Sequence, residues 1–303
     1  MARTGSRREN TISPAANLTL NIVFMLFALA CVMPVVLVII VSFTHNDSLV
    51  ANGYSFFPDK WSLIAYESLF KDAGTIAGAY SVTIGITVVG TISSVLLMAL
   101  FAYPISRSDY PYRKIFTFFL FFTMLFNGGV VTRYLVYTQV LGLTDTLMSL
   151  ILPLLILPFN VFMMRTFFQT TIHPALIESA RMDGAGELLI FIRIVLPLSL
   201  PVLATMSLFS TINYWNDWFN ALLFIRSEEK YPLQYLMIRV INDIMFLREN
   251  VAIAAQNPEL LANLPNESLQ MAMAVVGMGP ILVVYPFFQK YFVKGLTVGA
   301  IKG

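Results

Sequence analysis

The sequence is short of charge. Only 12% of its 303 residues are Asp, Glu, Lys or Arg, whereas 57% are hydrophobic. A soluble domain of average composition carries about 25% charged residues. A chain of this length cannot bury so much apolar surface in one globule, so the composition predicts that lipid is its main solvent. The formal net charge of +2 gives no argument for a nucleic-acid partner.

Cysteine and histidine are almost absent. The one cysteine is Cys31, and the two histidines are His45 and His173. This excludes a disulfide framework and a zinc site of several Cys and His ligands, and no HExxH pair is present for an intramembrane metalloenzyme. The sequence also lacks a GxxxxGK[S/T] loop, so the chain is not expected to hydrolyse ATP. We therefore expect a non-catalytic chain that has no catalytic residue and binds no metal or cofactor itself.

Six runs of the sequence contain no Asp, Glu, Lys or Arg. A bilayer core of about 30 Å needs about 20 apolar residues in a helix, because lipid offers no partner for an unpaired backbone amide. The sequence therefore predicts an all-α membrane protein with six transmembrane helices, at residues 18–43, 78–104, 115–132, 146–164, 194–216 and 271–289. An ion-driven secondary transporter, the main alternative class, would be expected to carry charged residues within its spans.

The distribution of Lys and Arg predicts the orientation. An even number of spans places both termini on one side, and cytoplasmic flanks hold the excess of positive charge. If the termini are cytoplasmic, that side holds 12 of the 19 Lys and Arg residues. The expected organisation is a cytoplasmic tail (1–17), a first transmembrane helix (18–43), an outer loop (44–77), a five-helix core (78–292) with a cytoplasmic loop at 165–193 and an outer loop at 225–270, and a cytoplasmic tail (293–303).

The cytoplasmic loop carries the most specific pattern. Pro174 suits the first turn of a helix, Glu178 lies near the positive end of that helix, and Asp183-Gly184 suits a turn. The segment resembles the EAA-x3-G-x9-I-x-LP signature of permeases in binding-protein-dependent ABC importers, with a serine at one alanine position. The resemblance implies an ATPase-coupling role for Glu178, Ser179, Ala180, Asp183, Gly184, Ile194, Leu196 and Pro197.

The resemblance covers the chain from the second predicted span onwards and implies a type I importer permease fold. It implies a multi-pass subunit of the bacterial plasma (inner) membrane that forms half of a pore and places a coupling helix on an ATPase. The implied partners are a second permease, two ABC ATPase subunits that use ATP and Mg, an extracytoplasmic solute-binding protein and membrane lipid, with no nucleic acid. A heterodimer is expected, and the sequence leaves a homodimer open.

Further matches favour the sugar-transporting branch, of the maltose-importer type. Arg165-Thr166-Phe167-Phe168 and Trp215-Asn216-Asp217-Trp218 look like that branch. The last residues are similar to the tail of its smaller permease, which reaches between the ATPases. This implies ATPase contacts for Gly295, Thr297, Lys302 and Gly303. We expect import of an oligosaccharide or a polysaccharide-derived sugar, with a permease for a non-sugar solute as the alternative.

An amide and aromatic cluster ends the fifth predicted span. Sugars are held by aromatic faces and by short polar side chains that reach their hydroxyls. On a continuous helix, residues 213, 216, 217 and 220 would share one face. The alternative is that the amides connect helices and the tryptophans form an interfacial belt. The predicted substrate path is lined by Asn213, Trp215, Asn216, Asp217 and Asn220, with Asn160 and Asn127 from other spans.

Overall fold

The computed structural model describes residues 13–71, 73–249 and 267–300. They form two compact units, residues 13–71 with 267–275 and residues 73–249 with 276–300. Parts of three sequence expectations lie outside the described residues. These are residues 1–12 of the N-terminal tail, residues 250–266 of the second outer loop, and residues 301–303 of the C-terminal tail, which include Lys302 and Gly303.

The first unit begins with a long apolar helix, α1 (Pro14–Ser42). The hydroxyl of Ser13 accepts a hydrogen bond from the backbone N–H of Ala16, which satisfies one of the free donors at the start of the helix. Two short helices follow, α2 (Asn46–Asn52) and α3 (Ile64–Lys71). The predicted outer loop at 44–77 is therefore largely helical.

The second unit is organised around α4 (Ala73–Ser106). The remaining helices are α5 (Arg113–Leu125), α6 (Gly129–Leu135) with a π-turn at Val136–Val140, α7 (Met148–Ile151) with a 3-10 turn at Leu152–Leu154, α8 (Pro158–Thr171), α9 (Pro174–Met182), α10 (Glu187–Ile190) with a π-turn at Phe191–Val195, α11 (Leu196–Leu198), α12 (Leu200–Trp215), α13 (Phe219–Phe224), a 3-10 turn at Glu228–Lys230, α14 (Leu233–Glu249) and α15 (Glu267–Ala300), whose first residues belong to the first unit.

Small and hydroxylated residues line the buried face of α4, which packs mainly against α8 and α12. The hydroxyl of Ser94 donates to the carbonyl oxygen of Leu155 at 2.8 Å, and the hydroxyl oxygens of Thr91 and Thr211 lie 3.3 Å apart. Short side chains allow helix backbones to approach closely in an apolar solvent, where hydroxyls can join neighbouring helices. This face of α4 therefore supports close helix packing without charge.

The described residues confirm the all-α expectation, since their only β-type pairing is one isolated bridge. Two helices, α1 and α4, are long and apolar enough to cross a membrane alone. Three bent pairs satisfy the same criterion only if each counts as one span. They are Arg113–Leu125 with Gly129–Val140 (116°), Met148–Leu154 with Pro158–Thr171 (50°) and Glu187–Leu198 with Leu200–Trp215 (82°). A shorter apolar helix covers Glu267–Val283. The six-span count and the orientation stay predictions.

The predicted third, fourth and fifth spans are wrong as continuous helices. The third is interrupted between Leu125 and Gly129, where Gly129 has a φ of 77°. The fourth is interrupted before Pro158, and the fifth turns at Ser199 between two prolines. Proline lacks a backbone donor and disfavours helix in the residue before it, and glycine tolerates the left-handed backbone of a bend. A charge-free run therefore does not establish helix continuity.

Candidate functional site

The importer-like signature begins on α9. The His173 ring accepts a hydrogen bond from the backbone N–H of Ala175 at 3.3 Å, and Pro174 occupies the first turn, where its missing N–H costs nothing. The Ile177 side chain is buried in the apolar core shared by α4, α8 and α12. Glu178 and Ser179 are exposed. The buried Ile177 thus anchors the helix, and the polar signature residues lie on its exposed surface.

A Schellman cap ends α9. The backbone N–H of Gly184 donates to Arg181 and that of Ala185 donates to Ala180, both at 2.9 Å. This pair of bonds needs a residue in the left-handed region, and Gly184 has a φ of 81°. A Cβ at Gly184 would meet nothing within 4 Å inside this chain. Within the chain, glycine is therefore required for its backbone conformation and not for space.

The second half of the signature joins this turn to α12. Ile194 and Leu196 are half-buried and pack against the same apolar core as Ile177. Ile194 lies in the π-turn, a feature often found at functional sites. Pro197 is exposed and stands just before the bend into α12. The residues implied by the signature thus form one continuous structure, which we call the motif segment, residues 174–197.

Four charged side chains form a closed ring beside the motif segment. Arg107 donates to Asp109 at 2.9 Å and to Glu187 at 2.8 Å. Arg181 donates to Glu187 at 2.8 Å and to Asp109 at 2.9 Å. Tyr103 adds to the ring, because its hydroxyl donates to Glu187 and accepts from Arg107. We call Arg107, Asp109, Arg181 and Glu187 the charged ring.

The ring keeps its members ionised. Hydrogen bonds from Arg107 and then Arg181 hold the pKa of Asp109 well below its ordinary range. The hydrogen bond to Asp109 raises the pKa of Arg107, and those to Glu187 and Asp109 raise the pKa of Arg181. A depressed acid pKa contributes stability above the unfolded-state value of about 4, and this is lost as the pH falls through the folded-state value. The Asp109 contacts are therefore fully formed near neutral pH.

Side chains of α8 cap the end of α4. The Arg165 guanidinium donates to the carbonyl oxygen of Ile105 at 3.1 Å, and the Gln169 amide donates to that of Ser106 at 3.2 Å. The last carbonyls of a helix have no partner within it, so these contacts satisfy them. A cavity of about 450 Å³ lies beside this cap and is lined by residues of the ring and by Glu178.

The sequence analysis missed the ring. Its cross-loop partners are 72 residues (Asp109 and Arg181) and 80 residues (Arg107 and Glu187) apart. No spacing rule connects positions so distant. The Arg107-Ser108-Asp109 triplet was the local signal, since its two charges are opposite and lie in one short loop.

The predicted polar stripe is wrong as one helical face. α12 ends at Trp215 and α13 begins at Phe219. The Asp217 carboxylate accepts hydrogen bonds from the backbone N–H of Asn220 at 3.1 Å and from its side-chain amide at 2.7 Å. This capping favours a new helix start over continuation of α12. Asn213 and Asn216 are exposed, and Asn220 is buried.

The other proposed path residues have separate environments. The buried Trp215 donates its indole N–H to the carbonyl oxygen of Gly277 at 3.0 Å, so its polar edge is occupied. Asn160 is buried in α8 with its amide nitrogen unpaired. Asn127 lies at the bend between α5 and α6, where its side chain accepts from the backbone N–H of Gly129. In the described part of the chain, Asp217 and Asn220 are joined by hydrogen bonds, and neither Asn160 nor Asn127 bonds to them.

Arg133 on α6 lies beside the predicted substrate-path residues and was not among the residues predicted from the sequence. Its guanidinium carbon lies 5.7 Å from the ring centre of Phe219, the neighbour of Asn220. Its Nε is buried without a partner, and Arg133 forms no ion pair within the described residues. The available signal was its isolation, because it is the only Lys or Arg between Lys114 and Arg165.

The predicted C-terminal tail is helical as far as it is described. Gly295 and Thr297 lie in α15, which extends to Ala300. Their predicted contact with ATPases stays a prediction.

Comparison with known proteins identifies a family and several relatives. The family described as "Binding-protein-dependent transport system inner membrane component" matches residues 96–298. The chain is similar to the polygalacturonan/rhamnogalacturonan transport system permease protein YtcP of Bacillus subtilis (strain 168), with 39% identity over 92% of this chain and 95% of that protein. It is also similar to the arabinooligosaccharides transport system permease protein AraQ of Halalkalibacterium halodurans, with 27% identity over 96% of this chain and 98% of that protein.

A solved structure has the same fold. It is a crystal structure of a bacterial ABC transporter involved in the import of the acidic polysaccharide alginate. One of its chains matches with a TM-score of 0.78 at 30% identity, over 94% of this chain and 100% of that chain. The match extends beyond the motif segment to almost the whole chain.

Proposed function

The chain belongs to the family of inner-membrane components of binding-protein-dependent transport systems and has its type I permease fold, and from this premise we propose that it forms half of the translocation pore of an ATP-driven oligosaccharide importer. The observation that carries the proposal is the Schellman-capped α9, whose signature residues face outwards on an anchored helix. The chain itself is proposed to be non-catalytic.

Helix α9 of the motif segment is proposed to dock on an ATPase subunit. Its exposed surface combines the polar Glu178 and Ser179 with the apolar Leu176 and Met182, and Met182 is 89% exposed. A solvated loop gains nothing from so exposed a methionine, whereas a docking surface buries it. The proposed partners are a different second permease, two ATPase subunits that use ATP and Mg, and an extracytoplasmic binding protein. Residues 295–303 are proposed to reach the ATPases.

The substrate is proposed to be an oligosaccharide that carries carboxylates. The relatives include proteins named for polygalacturonan and for the acidic polysaccharide alginate. This chain supplies Arg133 beside Phe219, with a guanidinium Nε that has no hydrogen-bond partner. This arrangement can pair with a carboxylate while the aromatic ring meets a sugar face. Asn213, near the end of α12, and Asn216, just after it, are exposed and are proposed to reach hydroxyls.

Reconstituted transport tests this proposal. The complete importer in proteoliposomes is expected to take up a labelled oligogalacturonate, with ATP and Mg supplied on the ATPase side and binding protein on the other. Arg133→Gln is expected to lower that uptake about tenfold, because a charge-assisted bidentate contact is lost. Uptake of a neutral oligosaccharide, where the importer accepts one, should change little.

The control removes a charge of the same sign elsewhere. Lys60→Gln lies on the exposed part of the predicted outer loop and should transport the acidic probe normally. Equal losses in both variants would show that Arg133 acts only through its positive charge, and this would contradict a specific contact with the substrate. Absence of ATP-dependent sugar uptake by the wild-type importer would contradict the sugar assignment.

Both termini are proposed to be cytoplasmic, in the bacterial plasma (inner) membrane. This orientation puts the charged ring and the motif segment on the cytoplasmic side, where ATPases are found. It rests on the excess of Lys and Arg in those loops, which the positive-inside rule places in the cytoplasm.

Cysteine labelling of intact cells tests the orientation. In a Cys31→Ala background, cysteines at Ser108 and Thr171 should resist a membrane-impermeant thiol reagent, whereas one at Val50 should react. All three positions are exposed in the structure, so burial within the chain does not explain a difference. Permeabilised cells provide the control for Ser108. Labelling at position 171 in intact cells would contradict the proposed topology.

A further inference from the structure

We propose that the charged ring is a second, non-covalent connection between the motif segment and α4, through which displacement of α9 acts directly on α4. This inference rests on the function proposed above. Arg107, Asp109, Arg181 and Glu187 are positioning residues, because they hold α9 and do not themselves touch sugar or ATP.

Two of the four sides of the ring cross between segments. Arg107 and Asp109 follow the C-terminal end of α4, whereas Arg181 lies in the last turn of α9 and Glu187 begins α10. The pairs Arg107–Glu187 and Asp109–Arg181 therefore join the loop after α4 to the motif segment, at 2.8 Å and 2.9 Å. The other two sides, Arg107–Asp109 and Arg181–Glu187, each lie within one segment. Among the four sides of the ring, only these two cross pairs join one segment to the other.

Apolar contacts already connect these regions, since Ile177 and Ile190 share a core with residues of α4. Burial of apolar surface is non-directional, so such contacts define the relative orientation of two elements less specifically than hydrogen bonds do. Charge-assisted hydrogen bonds have a preferred length and angle. The ring therefore adds a directional constraint that the apolar core does not supply.

Arg107 is the fixed member of the ring. Its side chain is only 11% exposed, and it donates to Asp109, to Glu187 and to the hydroxyl of Tyr103. A buried guanidinium without a partner is costly, so breaking the ring would destabilise the protein at Arg107. The side chains of Arg181, Asp109 and Glu187 are about half exposed, so their individual pairs are weak in isolation and depend on the closed arrangement.

The position of α4 gives this connection a mechanical consequence. The covalent path from α9 leads through the Gly184 turn into α12, and α12 packs along α4. A second attachment at the end of α4 holds both helices to α9. Docked elements that are attached at two points move as a rigid body, which is how small displacements at an interface reach distant sites.

Variants with exchanged charges test the two cross pairs independently of the two pairs within one segment. The double variant Arg181→Glu with Glu187→Arg keeps the pair within the motif segment but turns both cross pairs into like-charge pairs. The fourfold variant, which adds Arg107→Glu and Asp109→Arg, restores opposite charges on every side. Both variants place Arg at the start of α10, so any cost of that change is common to them.

The measurement is the amount of labelled oligogalacturonate imported per ATP hydrolysed by the complete importer in proteoliposomes. The double variant is expected to lower this ratio about fivefold, in the range seen for mutations along a coupling network, with ATPase subunits still bound. The fourfold variant is expected to recover most of it. A double variant that equals the wild type, or a fourfold variant no better than the double, would overturn the proposal.

Milder variants guard against misfolding. Asp109→Asn, Arg181→Gln and their combination leave no like charges opposed. If the cross pair acts as a unit, the combined loss in the import ratio is smaller than the product of the single losses. Independent losses contradict the proposal. A wild-type complex that neither binds ATPase nor imports sugar would instead contradict the proposed function, so the two failures are distinguishable.

Discussion

Replacing Gly184 with valine is expected to lower sugar uptake at least about fivefold while leaving the protein in the membrane. The Schellman cap of α9 requires a left-handed backbone at this position, and Gly184 has a φ of 81°. An L-residue in that region costs about 1–2 kcal/mol, and a β-branched residue more. A penalty of that size lowers the ratio of the correct turn to other backbone conformations about 5-fold to 30-fold. We expect uptake by the reconstituted importer to fall at least about fivefold.

Two further variants show why the glycine is needed. Gly186, two residues later, has a φ of −75° and open space around its Cα, so Gly186→Ala should retain uptake. Gly184→Asn keeps a residue that tolerates the left-handed region and adds a side chain. Recovery by asparagine indicates a backbone requirement, and failure of asparagine with intact assembly indicates close approach by the ATPase. Normal uptake by Gly184→Val would refute the coupling role of the segment.

The motif segment was predictable because its determinants are local. Pro174 at a helix start, a glycine in a C-terminal cap and apolar anchors at fixed spacing act within one short stretch of chain. A turn at Asp183-Gly184 was predictable from the sequence. The cap itself was not, because it is defined by hydrogen bonds to the carbonyl oxygens of Arg181 and Ala180 and not by residue type alone. The structure supplies those hydrogen bonds.

The spans and the polar stripe were less predictable. Absence of charge indicates membrane depth but does not show where an apolar run bends, so the breaks at Asn127, Pro158 and Ser199 escaped detection. The stripe failed for a different reason. Helical periodicity places residues on one face only if the helix is uninterrupted. Here the hydrogen bonds from Asn220 to the Asp217 carboxylate start a new helix, so the residues before and after Asp217 do not share a face.

Contacts between distant residues required the structure. The charged ring joins loops more than 70 residues apart, and Arg133 meets Phe219 across 86 positions of sequence. Another long-range contact lies between α4 and α12, where Gly90 faces the buried ring of Tyr214 and leaves no room for a side chain. No pattern in α4 distinguishes this glycine from the other glycines of the helix, at 74, 78 and 85.

Gly90→Val is expected to destabilise the packing of α4 against α12. A Cβ at Gly90 would lie 2.5 Å from the Cζ atom of Tyr214, far inside contact distance. The tyrosine ring cannot move aside easily, because it is 1% exposed and its hydroxyl donates to the carbonyl oxygen of Ile151 at 2.9 Å. Overpacking a close-packed site costs typically about 1–3 kcal/mol, so thermal unfolding of the purified protein should shift down by several degrees. Gly85→Ala, with nothing within 4 Å of its Cβ, is the matched control and should unfold normally. In a Tyr214→Ala background, Gly90→Val should cost less stability than it does in the wild type if the clash is the cause. A Gly90→Val protein as stable as wild type would show that α4 and α12 do not meet at this glycine.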